Sequence, residues 1–154
     1  MEWQLSSAAF ANGERIPAKY SRSDGEDLSP PLQWTAPPQG TVELVLICDD
    51  PDAPRGTWNH WIVYGLSAEV TSLPEGLAKG ATITEPALKQ GSTSFGETGY
   101  GGPAPPSGTH RYQFTLYALN AATDLEPGAS KQQVLAAMEG KIIAQTMLEG
   151  TYSR

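Results

Sequence analysis

Glycine and proline make up 29 of the 154 residues and are spread along the whole chain. That is about 19%, against a usual share of about 12%. Proline fixes φ and removes a backbone donor, so no long helix can run through such a sequence. Between these breaks lie short apolar stretches, several of which alternate apolar and polar residues. Short strands separated by turns predict a mainly β chain: an antiparallel β-sandwich of Greek-key type with few short helices. The length suits one domain, residues 1–154, with a sizeable core.

The strongest strand signal is Val42-Glu43-Leu44-Val45-Leu46-Ile47-Cys48, which is apolar on nearly both faces and therefore central. Residues 58–64 alternate. A strand there puts Trp58, His60, Ile62 and Tyr64 on one face and Asn59, Trp61 and Val63 on the other. Residues 110–119 read as a long strand with His110, Tyr112, Phe114 and Leu116 on one face. Residues 3–10 and 145–152 supply a first and a last strand. Asn12-Gly13 signals a hairpin turn, after which Ile16 resumes an extended segment. Ser29-Pro30-Pro31-Leu32-Gln33-Trp34 reads as a sheet edge or a polyproline-like lead-in. Residues 67–80 read as loop, and 81–96 as loop with a short strand. One helix starts at Ser130. Ser130 and Gln133 form its capping box, and Val134, Leu135, Met138 and Ile142 its apolar face.

Candidate chemistry gathers in three places. Asp50-Pro51-Asp52-Ala53-Pro54 follows the central strand. Each proline pushes the residue before it out of the helical region. Asp50 and Asp52 are then held on stiff, extended backbone with both carboxylates on one side. Trp58-Asn59-His60-Trp61 comes next. The other histidine, His110, follows a Gly/Pro loop at residues 99–108. Loops of this kind often carry function. We read Asp50, His60 and His110 as meeting in one pocket.

Three chemistries fit such a cluster. One is a two-histidine, one-carboxylate metal site, although no local ligand spacing supports it. The second is a hydrolytic enzyme, although no Gly-x-Ser-x-Gly elbow is present and Ser92, Ser94 and Cys48 have no adjacent base. The third is an anion site in which imidazolium groups and the Tyr112 hydroxyl donate to ligand oxygens.

Charge narrows the partners. Ten basic and 17 acidic residues give a net charge of −7. No run of Lys or Arg offers the basic face that nucleic acid requires. The longest unbroken apolar run is five residues, 44–48, too short to span a membrane. Cys48 is the only cysteine, so no internal disulfide forms. Residues 1–7 have no basic leader region. The reading is a cytoplasmic protein without a cofactor.

Two long motifs carry a family resemblance. Asp50-Pro51-Asp52-Ala53-Pro54 with Trp58-Asn59-His60-Trp61 resembles the first signature of the phosphatidylethanolamine-binding protein family. Residues 102–112, Gly-Pro-Ala-Pro-Pro-Ser-Gly-Thr-His-Arg-Tyr, resemble the second. The flanks Ile16-Pro17-Ala18-Lys19-Tyr20, Ser29-Pro30-Pro31-Leu32-Gln33-Trp34 and Gly150-Thr151-Tyr152 are similar to the bacterial YbhB/YbcL, Raf kinase inhibitor-like branch.

The resemblance implies a large antiparallel sheet and a pocket for phosphate-type anions lined by Asp50, Asp52, His60, Gly102, Pro103, His110 and Tyr112. It implies binding without turnover, modulation of a kinase or protease partner, a homodimer, and a tight turn that favours a cis bond at Ala53-Pro54. The chain departs from relatives in lacking a cysteine near Tyr20, and in carrying Ala104 and Lys141 where cysteine or proline, and histidine, are frequent. It also ends soon after the last predicted strand, where eukaryotic members carry a further helix.

Overall fold

The structure, a computed structural model, describes residues 3–154. The expectation of no leader, read from residues 1–7, falls partly outside them. The strands are β1 (Leu5–Ser6), β2 (Leu32–Trp34), β3 (Glu43–Asp50), β4 (Trp58–Ser67), β5 (Ser72–Leu73), β6 (Thr82–Thr84), β7 (Ala87–Gln90), β8 (Thr109–Leu119) and β9 (Ile142–Ser153). Among the described residues one α-helix, α1 (Lys131–Met138), precedes β9, and a 3-10 turn spans Ala18–Tyr20.

The run at β3 is apolar on both sides because both sides are covered. It lies inside a six-stranded antiparallel sheet of order β6-β7-β4-β3-β8-β9. Leu44, Leu46 and Cys48 face one way, into a core shared with a small sheet of order β1-β2-β5. Val45 and Ile47 face the other way, against Val134 and Met138 of α1. The protein is thus mainly β and antiparallel, with two sheets around the main core and a helix on the outer face.

The capping box of α1 is present: Ser130 Oγ accepts from Gln133 N–H, and Gln133 Oε1 accepts from Ser130 N–H. Only Val134 and Met138 of the expected apolar face are buried. Leu135 is exposed, and Ile142 belongs to β9, because the helix stops at Met138 and Gly140 turns the chain at φ +79°.

Three local expectations need correcting. The chain does turn at Asn12-Gly13, but the flanking segments do not pair with each other. Leu5–Ser6 pairs with β2, while Ile16 N–H donates to the Thr151 carbonyl of β9 at 2.7 Å. An available sheet edge outcompeted the local hairpin. Leu32–Trp34 is not an edge but the middle strand of the small sheet. The prolines stop at residue 31, so the three paired residues keep all their donors. Ala53-Pro54 is trans; the cis bond among the described residues is Glu85-Pro86. The reversal after Pro54 is made instead by a bond from Gly56 N–H to the Ala53 carbonyl, with Gly56 at φ +109°.

One irregularity in β4 sets up the site. β3 pairs Cys48 with Trp61 and Asp49 with Asn59, so His60 is an extra residue in the strand. Such a bulge re-aims side chains. Strict alternation fails here: His60 and Trp61 both lie on the main-core side of the sheet, while Asn59 turns to Asp49, and Ile62 and Tyr64 to the helix side.

Candidate functional site

The ends of β3, β4 and β8 and two loops enclose a cavity of about 210 Å³. Asp50, His60, His110 and Tyr112 line it, with apolar walls from Ala53, Pro54, Trp58, Phe95, Ala104, Pro105 and Pro106. Asp50, His60, His110 and Tyr112 are each less than a tenth exposed. Residues 60 apart in sequence therefore meet, as the strand ends and stiff turns suggested.

Each imidazole is oriented through Nδ1. His110 Nδ1 lies 2.6 Å from Asp50 Oδ2 and donates to it. His60 Nδ1 lies 2.6 Å from the Gly101 carbonyl oxygen, which can only accept, so Nδ1 carries the proton. Gly101 N–H returns a bond to the His60 carbonyl at 2.9 Å. In the neutral tautomer this leaves the His60 Nε2 lone pair for the cavity. Burial pushes the His60 imidazole below its ordinary 6.5, against the raising pull of the Gly101 carbonyl and of Asp50. Burial also pushes the Tyr112 hydroxyl up, so it stays protonated. That hydroxyl is buried and lies near Asp50 and the Ala104 backbone without hydrogen-bond geometry to either. Rings fix the geometry: His60 stands edge-on to Tyr112 at 5.1 Å and to Phe95 at 5.2 Å.

Asp52 does not share the cavity. Asp50 Oδ1 accepts from Asp52 N–H at 2.8 Å, which closes a local turn and swings the two carboxylates apart. Asp52 instead grips Arg111 with both oxygens, at 2.9 and 2.8 Å, and accepts from Arg111 N–H at 2.9 Å. The Arg111 guanidinium holds the Asp52 carboxyl down at about 2. This latch fastens the Asp/Pro turn to β8 beside His110.

Gly102 and Pro103 sit behind the wall. Gly102 N–H donates to Asp27 Oδ1 at 2.6 Å. A Cβ at Gly102 would lie 2.0 Å from the Tyr20 carbonyl oxygen, so only glycine fits this approach. The Pro103 carbonyl accepts from Ser21 Oγ at 2.7 Å and Arg22 N–H at 3.0 Å. These bonds hold residues 104–106 against the cavity.

The cavity lining contains no Ser, Thr, Cys or Lys. Cys48 is buried behind it, and desolvation pushes its thiol well up. Among the described residues, no group of three or more His, Cys, Asp or Glu side chains is arranged to hold a metal ion.

The arrangement can be set beside known proteins. The sequence profile of the phosphatidylethanolamine-binding protein family matches residues 6–153. The chain belongs to this family. A UPF0098 protein of Methanothermobacter thermautotrophicus is 46% identical over 150 residues, covering 97% of this chain and 98% of the relative. A family homologue from Chlamydia trachomatis superposes with a TM-score of 0.89 at 44% identity, covering 99% of this chain and 97% of its own. The crystal structure of E. coli YbcL, a new member of the mammalian PEBP family, superposes with a TM-score of 0.88 at 30% identity, covering 100% of this chain and 99% of its own.

For a phosphatidylethanolamine-binding family member, sequence reasoning named the polar groups and missed much of the wall. Phe95 lies in residues 81–96, whose pattern predicts loop with a short strand. A lone aromatic in the polar run Gly91-Ser92-Thr93-Ser94-Phe95-Gly96 was the available signal. Trp58 was quoted in a motif but not placed in the site. The Gly101 carbonyl, which orients His60, has no sequence signature at all.

Proposed function

We propose that this protein is a non-catalytic binding protein whose cavity holds the oxyanion group of a small phosphorylated or otherwise anionic ligand. The observation that carries this reading is the Tyr112 hydroxyl, a buried donor without a partner, beside two imidazoles whose outer nitrogens are left to the cavity. Buried polar groups find partners, and a ligand oxygen is the partner this geometry suits. The apolar walls exclude water and strengthen each such bond. Asp52, Gly102 and Pro103 serve the ligand by holding the turn and the loop in shape.

Membership of a family of binding proteins supports binding without turnover. Family resemblance supports modulation of a protein partner such as a kinase or protease, and a homodimer.

Sulfate is the cleanest probe, because it stays a dianion across the range in which phosphate titrates, near pH 6. A neutral His60 with its proton on Nδ1 cannot donate from Nε2, so a dianion must bring a proton to that ring. Calorimetry in buffers of different ionisation enthalpy should show proton uptake on sulfate binding, and affinity should fall as pH rises through neutrality. His60→Gln should abolish the uptake. A flat pH profile in the parent protein overturns the oxyanion site.

A further inference from the structure

The Gly101 carbonyl that aims His60 does not stand alone. It shares one peptide group with the Gly102 N–H. That group is planar and trans, so its carbonyl and its N–H point in opposite directions. The carbonyl accepts from His60 Nδ1 at 2.6 Å, and the N–H donates to Asp27 Oδ1 at 2.6 Å. A carboxylate, a peptide group and an imidazole thus lie in one hydrogen-bonded series. Bonds in such a series polarise one another, and a charged acceptor shortens and strengthens the bond made to it.

Asp27 is held for this contact although it does not line the cavity. It sits at φ +57°, a left-handed conformation that few residues with a Cβ adopt and that Asp tolerates better than most. Its own N–H donates to the Ser21 carbonyl at 3.1 Å. Its Oδ2 meets Lys79 Nζ at 2.6 Å and Arg22 Nη1 at 4.0 Å, so the carboxylate is also fixed from its far side. The peptide group is hemmed in as well. A Cβ on Gly101 would lie 2.6 Å from the Phe95 ring, and one on Gly102 2.0 Å from the Tyr20 carbonyl oxygen. A second route joins the same carboxylate to the same ring. Arg22 lies over Phe95 at 4.2 Å, and Phe95 stands edge-on to His60 at 5.2 Å.

We propose that Asp27 is a positioning residue of the cavity, setting the tautomer and direction of His60 through the Gly101–Gly102 peptide group as Asp50 does for His110 by direct contact. A peptide placed between carboxylate and ring passes on direction and polarisation but keeps the full charge out of the cavity. That role rests on the oxyanion reading for what the ring is aimed at, and adds the residue that aims it.

Nitrogen NMR of the ligand-free chain at about pH 8, above the ordinary histidine value near 6.5, tests it. His60→Gln assigns the ring signals. In the parent, His60 should show one tautomer, protonated at Nδ1, and the Gly102 amide proton should lie far downfield, as a short bond to a carboxylate requires. Asp27→Gly removes the carboxylate at a φ that glycine adopts freely, so the fold should persist. It should shift the Gly102 amide signal upfield, mix the two tautomers of His60 and weaken sulfate binding about tenfold, a typical cost of losing a group that orients a ligating histidine. Asp27→Asn keeps an acceptor for Gly102 N–H, so it should hold the tautomer while moving the amide signal. Lys79→Met removes an ion pair of Asp27 but not its bond to Gly102, and should leave the tautomer as in the parent. An unchanged tautomer in Asp27→Gly overturns the proposal, as does a Lys79→Met variant that disturbs the ring as much. Should Asp27→Gly fail to fold, Asp27→Asn decides: an unmoved Gly102 amide signal overturns the series. A changed tautomer with unchanged sulfate affinity overturns the role in binding. A parent that binds no sulfate overturns the oxyanion reading instead, and the ring signals still judge whether Asp27 sets the tautomer.

Discussion

The two walls of the cavity hold the same kind of side chain by different physics. On one wall His110 meets a carboxylate, Asp50, and the Asp50–Pro54 turn is latched to β8 by the Asp52–Arg111 pair. On the other, His60 is tied to Gly101 twice, through side chain and backbone, and is packed against Phe95 and Tyr112. The first wall carries formal charge. The second offers dipoles and rings. A carbonyl fixes a tautomer as firmly as a carboxylate does, but it compensates less of the desolvation that a charged ring would suffer. Burial therefore dominates at His60 and favours its neutral form. What holds the far nitrogen decides what the near nitrogen can do for a ligand.

The comparison can be broken most forcefully at Asp50. Asp50→Ala strips the acceptor from two donors at once, His110 Nδ1–H and Asp52 N–H. Leaving a buried donor unpaired costs on the order of 1–3 kcal/mol. Urea unfolding should therefore show a loss of about 3 kcal/mol, with a smaller loss for Asp50→Asn, which keeps one acceptor oxygen. A loss no larger than that of an exposed substitution would mean that the charged wall does not hold the turn.

The His60 wall is sharpened by pH. Its folded-state value lies below the ordinary 6.5, so the unfolded chain takes up the proton first. The neutral ring's contribution is whole above about 6.5 and is lost as pH falls from there toward the folded value. Unfolding free energies measured between pH 7.5 and pH 5 should fall more steeply in the parent than in His60→Gln, in a ligand-free, sulfate-free buffer. Equal slopes would place the ring in contact with water.

The smallest effect belongs to the latch. Asp52→Ala removes an ion pair at a partly exposed position, where such pairs contribute less than about 1 kcal/mol and are screened by salt. Its carboxyl sits at about 2, below its ordinary value, so the pair's contribution is whole above the unfolded carboxylate range and is lost as pH falls from there toward about 2. Parent and Asp52→Ala should converge in stability at high salt. Divergence there would show that the Arg111 N–H bond, not the ion pair, is what the latch supplies.

The sequence by itself determined the elements whose signals are local. The two-sided apolar run of β3, the long strand through His110, the capping box at Ser130 and the stiff Gly/Pro loop were all legible, because strand burial, capping and turn chemistry act over a few residues. So was the meeting of Asp50, His60 and His110, because prolines and strand ends restrict where those side chains can go. The tertiary structure alone decided the rest. The bulge that brings His60 and Trp61 to one side of the sheet is a matter of register against β3. The ion pair that latches Asp52 depends on Arg111, which arrives from a distant strand. Phe95 and the Gly101 carbonyl acquire their roles only from what lies beside them. Register, neighbours and burial are properties of pairs of segments, and no single stretch of chain contains them.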